Sequence, residues 1–183
     1  MPADVTVITP SLPERAHMLA EAIGSVAAQT LLPAAHLVGV DHTGRGPAAI
    51  RQELVEAAAT EWVAFLDDDD LLDYDHLDIL VPRTNALGAD VIIPRCRFDG
   101  PPLPPRYCNQ PYDRAALRDH GIFPITVLAR RSAVLAAGGF DPAARYEDHQ
   151  LWNRMADLGA VFVDLERVTW TYRRGHPCRT NAA

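Results

Sequence analysis

The stretch "EWVAFLDDDDLLDYDHL", Glu61 to Leu77, joins an apolar run to four consecutive aspartates. The run EWVAFL reads as a buried strand, and the carboxylates stand just beyond its end. Two unit charges about 4 Å apart interact by roughly 4 kcal/mol at an effective dielectric near 20, so such a cluster needs water, cations or a metal ion. Upstream, "PAAIRQELVEAAAT" reads as a helix entered through Pro47, a residue suited to a first helical turn. Before it, "AHLVGVDHTG" reads as a strand running into a polar turn at Asp41 to Gly46. "LPERAHMLAEAIGSVAAQT" places Leu12, Leu19, Ile23 and Val26 at near-helical spacing and predicts a helix from about Pro13 to Gln29. "DVTVITP" is β-branched and short, a first strand. Strand, helix, strand, helix, strand implies a doubly wound α/β unit with a parallel sheet. Such sheets bind ligands at the carboxyl ends of their strands, and Thr9–Pro10, Asp41 and Asp67 to Asp70 all fall there.

Downstream, "YDHLDILVPRTNALGADVIIPR" reads as a helix and a fourth strand. Pro94 to Pro111 holds six prolines together with Cys96 and Cys108, and reads as a loop. "GIFPITVLARRSAVLAAGGFD" suggests a strand and a short helix closed by Gly138–Gly139. "EDHQLWNRMADLG" is an amphipathic helix with Leu151, Met155 and Leu158 on one side, and "AVFVDLERVTWTYRRG" suggests two final strands.

The totals narrow the function. The chain has 183 residues, enough for one substantial domain. All 17 basic residues are arginine, which excludes any mechanism that needs a lysine. A net charge of −7 argues against broad nucleic-acid binding. No apolar run reaches the roughly 20 residues that span a bilayer, and the N-terminus lacks a signal pattern, so a cytoplasmic protein is expected. Cys96, Cys108 and Cys178 are odd in number and lack metal-type spacing, which favours free thiols.

The aspartate run does not fit an EF-hand, because "DDDDLLDYDHLD" lacks the central glycine and closing glutamate. An aspartyl-phosphate phosphatase would place its Asp-x-Asp near the N-terminus and use a lysine. A divalent ion held by one or two carboxylates plus a diphosphate remains, beside the plainer reading of a solvated loop. In "RYEDHQLW", Glu147 and Asp148 open a helix, where capping and the helix dipole already account for a carboxylate. The functional reading of Asp148 is a general base facing an acceptor hydroxyl. Trp152, one turn on, is either core or a platform for a sugar ring.

Taken in order, these segments resemble the family-2 glycosyltransferases of the GT-A fold, over nearly the whole chain. "VTVITPSLPERAHMLAEAIGSVAAQT" is similar to their opening strand, nucleotide loop and first helix, and "LVGVDHTG" to the strand whose terminal aspartate contacts the donor base. "AAIRQELVEAAATEWVAFLDDDDLL" resembles the segment leading into their Asp-x-Asp motif. "FPITVLARRSAVLAAGGFD" followed by "EDHQLW" resembles their acceptor region and catalytic acidic motif. The resemblance implies a Rossmann-like, mostly parallel sheet flanked by helices, a single compact α/β domain with a smaller acceptor-side subdomain. Residues 1–95 would form the nucleotide-sugar half and 96–183 the acceptor half.

Carried over by position, the resemblance implies that Thr9, Pro10, Asp41, Arg51, Asp67 and Asp68 bind the donor nucleotide. Asp69, Asp67 and His176 would hold Mn²⁺ or Mg²⁺. Asp148 would be the base, Glu147 its neighbour, and Asp141 and Trp152 would lie on the acceptor side. Two departures stand out: Asp41 and Asp67 are only 26 positions apart, and "DHTGRG" replaces the usual acidic–Ser/Thr turn. The implied activity is inverting, metal-dependent transfer of a sugar from a nucleoside-diphosphate donor, UDP being the commonest, to a hydroxyl acceptor. That acceptor could be a glycan, a lipid-linked glycan, a small molecule or modified nucleic acid. Two rival functions are a non-catalytic nucleotide-sugar-binding module and a metal-dependent nucleotidyltransferase.

Overall fold

The structure is a computed structural model that describes residues 2–101, 108–120 and 123–173. Strand β1 (Ala3–Ser11) is followed by a 3-10 turn (Pro13–Arg15) and helix α1 (Ala16–Ala27). Next come β2 (Pro33–Val40), α2 (Pro47–Ala57), β3 (Trp62–Phe65), a two-residue β4 (Leu71–Leu72) and α3 (His76–Ala86). The second part holds β5 (Val91–Asp99), α4 (Arg114–His120), β6 (Leu128–Arg130), α5 (Arg131–Ala136), α6 (Glu147–Asp157) and β7 (Phe162–Arg173).

The strands form one sheet in the order β2-β1-β3-β6-β5-β7-β4. β1 pairs parallel with β2 and β3, and β5 pairs parallel with β7. β6 lies antiparallel between β3 and β5, so β2, β1, β3, β5 and β7 all point the same way. Their carboxyl ends therefore share one edge. The expected division after residue 95 falls inside β5, and β6 pairs directly with β3, so the two halves of the sequence interleave in a single sheet.

Alternation along the strands sorts side chains onto two faces. Val5, Val7, Trp62, Ala64 and Leu66 belong to the layer under α1 and α3. Ile8, Val63 and Phe65 face the layer of α2, α5 and α6. There Phe65 meets Phe140 and Trp152 edge to face, with centroids 5.4 and 6.1 Å apart.

Several local expectations change. α1 buries Met18, Ala22 and Val26, a strict i, i+4, i+8 stripe, and leaves Ile23 exposed. In α6, Leu151 and Met155 are buried but Leu158 is out in solvent. β5 runs through Pro94, which has no N–H to donate, and the β5–β7 register slips there. The proline-rich loop thus begins after Asp99. The two expected final strands are one strand, β7, bent at Glu166 with φ 51°. The structure adds α4, whose Ala116 N–H donates to Asp113 Oδ1 at 2.7 Å. Cys96 and Cys108 are buried thiols with Sγ atoms 2.9 Å apart, and Asn109 brackets the Cys96 backbone with its amide. Cys178 and His176 lie outside the described residues.

Candidate active site

A cavity of about 760 Å³ opens at the shared carboxyl edge. It is lined from β1 and the turn after it (Pro10, Ser11, Arg15), from Asp41, from α2 (Ile50, Arg51) and from the four aspartates. The second part of the chain adds Asp119, the segment Phe123 to Ile125, the start of α6 and Tyr172. Both acidic motifs thus face the same space, which their separation of some 80 positions in sequence could not show.

Asp41 follows β2, and its N–H donates to Ser11 O at 2.9 Å. Its carboxylate accepts the N–H groups of Gly46 (2.7 Å), Arg45 and Thr43 (both 3.1 Å), curling 41–46 into the entry of α2. Gly44 and Gly46 take positive φ in this curl, where a side chain would be strained. The Gly46 N–H, aided by those of Arg45 and Thr43, holds the Asp41 carboxyl down at about 2 against the opposing effect of burial. Pro10 lines the cavity, but Thr9 does not; its hydroxyl shares a 2.9 Å hydrogen bond with His36 Nε2 behind the strand.

The aspartates form a turn after β3, closed by Asp70 N–H to Asp67 O at 3.1 Å. Arginines relieve much of their mutual repulsion. Arg15 Nη1 lies 2.8 Å from Asp68 Oδ1, and its Nη2 pairs with Asp69. Ser11 Oγ donates to Asp68 Oδ2 at 2.6 Å. Arg51 pairs with Asp67 through Nη2 and with Glu147 through Nη1 at 2.7 Å, so one buried guanidinium ties the aspartate turn to the head of α6. The Arg173 N–H donates to Asp70 Oδ1 at 3.0 Å, and its guanidinium reaches Asp69 O and Glu21. Burial still raises the carboxyls of Asp68, Asp69 and Asp70, the last well above its ordinary value.

Asp67, Asp69 and Asp70 each offer a carboxylate oxygen, and these oxygens lie within 4.8 Å of one another. Hard, anionic oxygens are the donor set of Mg²⁺ and Mn²⁺, so the turn fits a divalent ion. Asp70 is an addition to the sequence-based set. At the other acidic motif, burial raises the Asp148 carboxyl, Glu147 pushes it further and Arg51 partly offsets both. Asp148 and Glu147 sit in the first turn of α6.

Two acceptor-side expectations are corrected. Trp152 is core: it is buried against Phe65 and Phe123 and does not line the cavity. Asp141 is exposed and caps its own turn by accepting the Ala143 N–H at 2.9 Å, again away from the cavity. Ser11, Arg15 and Arg173 carried no sequence-based role. Arg15 alone left a signal, a cation just past the carboxyl end of β1 facing an acidic cleft.

Residues 36–126 match the family model described as "Glycosyl transferase family 2". The chain belongs to that family. No curated protein sequence matches it. Among solved structures, S. aureus TarS 1–349 in complex with UDP-GlcNAc superposes with a TM-score of 0.78 at 17% identity, covering 100% of this chain and 61% of that one. Mannosyltransferase PcManGT from Pyrobaculum calidifontis, in complex with GDP-Man and Mn²⁺, gives a TM-score of 0.68 at 18% identity, covering 98% and 59%. The family-2 chain therefore shares the GT-A fold of these neighbours and spans about 60% of their length. Its own described residues contain no helix long and apolar enough to cross a membrane.

Proposed function

We propose that this chain transfers a sugar from a nucleoside-diphosphate donor to an acceptor hydroxyl, with inversion and with help from a divalent ion. The observation that carries this reading is the single cavity lined by both acidic motifs and tied across by Arg51. Asp41 and Pro10 border the place for the nucleotide, with Thr9 supporting the strand behind them. Asp67, Asp69 and Asp70 would hold Mn²⁺ or Mg²⁺, which when bound offsets negative charge on a diphosphate leaving group. The neighbours' printed ligands, UDP-GlcNAc in one and GDP-Man with Mn²⁺ in the other, are consistent with a nucleotide-sugar donor and with metal use.

Residues 1–95 supply most donor contacts, and 96–183 supply the acceptor side within the same sheet. Asp148 takes the proton from the acceptor oxygen as that oxygen attacks the anomeric carbon. A carboxyl raised by burial is a stronger base than a free one, and such a base contributes about 10²–10⁴-fold. Glu147, held by Arg51, keeps the head of α6 in register with the donor side.

A thermal-shift screen of UDP, GDP and their sugars, with and without Mn²⁺, tests the donor half. Stabilisation by one nucleotide that grows with Mn²⁺ is the expected result. No shift with any nucleotide would remove the donor assignment, and a nucleotidyl product in place of free nucleoside diphosphate would reassign the chemistry.

A further inference from the structure

Among the described residues three cations surround the aspartate turn, and they are held very differently. Arg51 is buried and pinned by two carboxylates. Arg173 ends β7, with its N–H on Asp70, Nε on the Asp69 carbonyl and Nη1 on Glu21. Arg15 ends the short 3-10 turn after β1, its side chain is 21% exposed, and among the described residues its guanidinium touches only Asp68 and Asp69. Among the described residues, Arg51 also ties the turn to α6 and Arg173 ties it to α1, whereas Arg15 pairs with the turn and with no other element, so it can leave without breaking such a tie.

Asp69 is also one of the three carboxylates whose oxygens converge closely enough for a divalent ion. Arg15 and that ion therefore draw on the same carboxylate. With Arg15 seated, an entering ion meets a positive charge already on Asp69, and like charges this close repel. A diphosphate brings the negative charge that would let both cations stay nearby.

We propose that Arg15 is an exchangeable counter-ion. It neutralises Asp68 and Asp69 in the donor-free protein, yields Asp69 when the divalent ion arrives with a nucleoside diphosphate, and turns its guanidinium to the diphosphate oxygens. This rests on the nucleotide-sugar reading above. It makes metal and nucleotide binding mutually dependent, and such coupling is reciprocal by linkage. A bidentate guanidinium suits phosphate oxygens as well as it suits carboxylates.

The test is Mn²⁺ titration followed by electron paramagnetic resonance, with calorimetric titration of UDP and GDP with and without Mn²⁺. Parent, Arg15→Gln and Arg15→Lys proteins are compared, and their thermal unfolding checks that each is folded. Nucleotide-free Arg15→Gln should bind Mn²⁺ about tenfold more tightly than the parent, a modest factor because the site is partly open to solvent and screened. In the presence of Mn²⁺ its nucleotide affinity should fall at least about fivefold, the lower end of ordinary coupling. Arg15→Lys keeps the charge without the fork and should lie between, and it carries the test if the glutamine variant does not fold. Equal Mn²⁺ affinity in donor-free parent and variants overturns the exchange. If the parent binds a nucleotide equally well with or without Mn²⁺ and Arg15→Gln abolishes that binding, Arg15 stands in for the ion; the exchange then fails and the nucleotide-sugar reading survives. Absence of nucleotide binding in every protein and condition sinks that reading, and the exchange with it.

Discussion

Arg51→Met is the sharpest perturbation of this fold, because it removes one cation from two carboxylates at once. The guanidinium is buried, pairs with Asp67 and Glu147, and lies 5.9 Å over the Phe140 ring. Breaking a buried ion pair by deleting one partner costs about 3–5 kcal/mol, since the remaining charge is left uncompensated. The Glu147 side chain is 17% exposed, but that of Asp67 is 33% exposed and regains some water. The low end, about 3 kcal/mol, is therefore expected. In a domain of this size that corresponds to a fall in Tm of about 6–12 °C. Methionine keeps the packing against Phe140, so the loss reports charge rather than a cavity. Urea unfolding should show a lower midpoint at an unchanged slope. Arg51→Lys should fall between, because one ammonium cannot span both carboxylates as the fork does. A stability within about 0.5 kcal/mol of the parent for Arg51→Met would refute the bridging role, since that is the range of ordinary surface changes.

Other expectations follow from the same geometry. Asp148→Asn should keep nucleotide affinity in calorimetry while turnover falls about 10²–10⁴-fold. In the parent, burial raises the Asp148 carboxyl, so the acid limb of the rate profile should lie above the usual carboxylate range, activity being lost as pH falls through it. Asp41 is depressed from 3.8 to about 2, so its stabilisation is full above about pH 4 and is lost as pH falls towards 2. Asp41→Ala should flatten acid unfolding in that window and loosen 41–46 in hydrogen exchange. His76 is buried, its Nδ1 within 2.8 Å of Thr169 Oγ1, and burial lowers it from 6.5 to about 4. The unfolded chain takes up that proton first, so stability should decline from about pH 6.5 down to about 4. A His76→Gln variant should show a shallower decline by denaturant titration.

The parallel part of the sheet was legible because β1, β2 and β3 each couple a β-branched or apolar run to a turn or helix signal. Elsewhere tertiary pairing overruled local chemistry. Pro94 argues against a strand, yet β5 continues through it because β7 lies alongside and the register slips to accommodate the missing donor. Leu71–Leu72 is too short to register as a strand and exists through its partners Trp170 and Thr171. In the site, Asp41, Asp67 to Asp69, Glu147 and Asp148 announced themselves by position after strands or at a helix start. Trp152 could not be assigned from spacing, because an aromatic on an amphipathic helix serves core and ligand equally well. The counter-ions were hidden for a simpler reason. Arg15, Arg51 and Arg173 come from three distant segments, and only the closed sheet brings them to one acidic turn.

The turn after α5 has a mechanical meaning. Gly139 sits at φ 64°, and a Cβ there would fall 1.9 Å from Gln52 Oε1, while that same oxygen accepts the Phe140 N–H at 2.9 Å. Gln52 is the neighbour of Arg51 on α2. Helix α2 and the loop that leads towards α6 are thus clasped backbone to side chain, directly beside the arginine that ties α2 to Glu147 charge to charge. A rocking motion of one half against the other would have to break both. Any change of cavity shape on ligand entry falls instead to its rim, and a substitution as small as Gly139→Ala would be felt at a carboxylate it never touches.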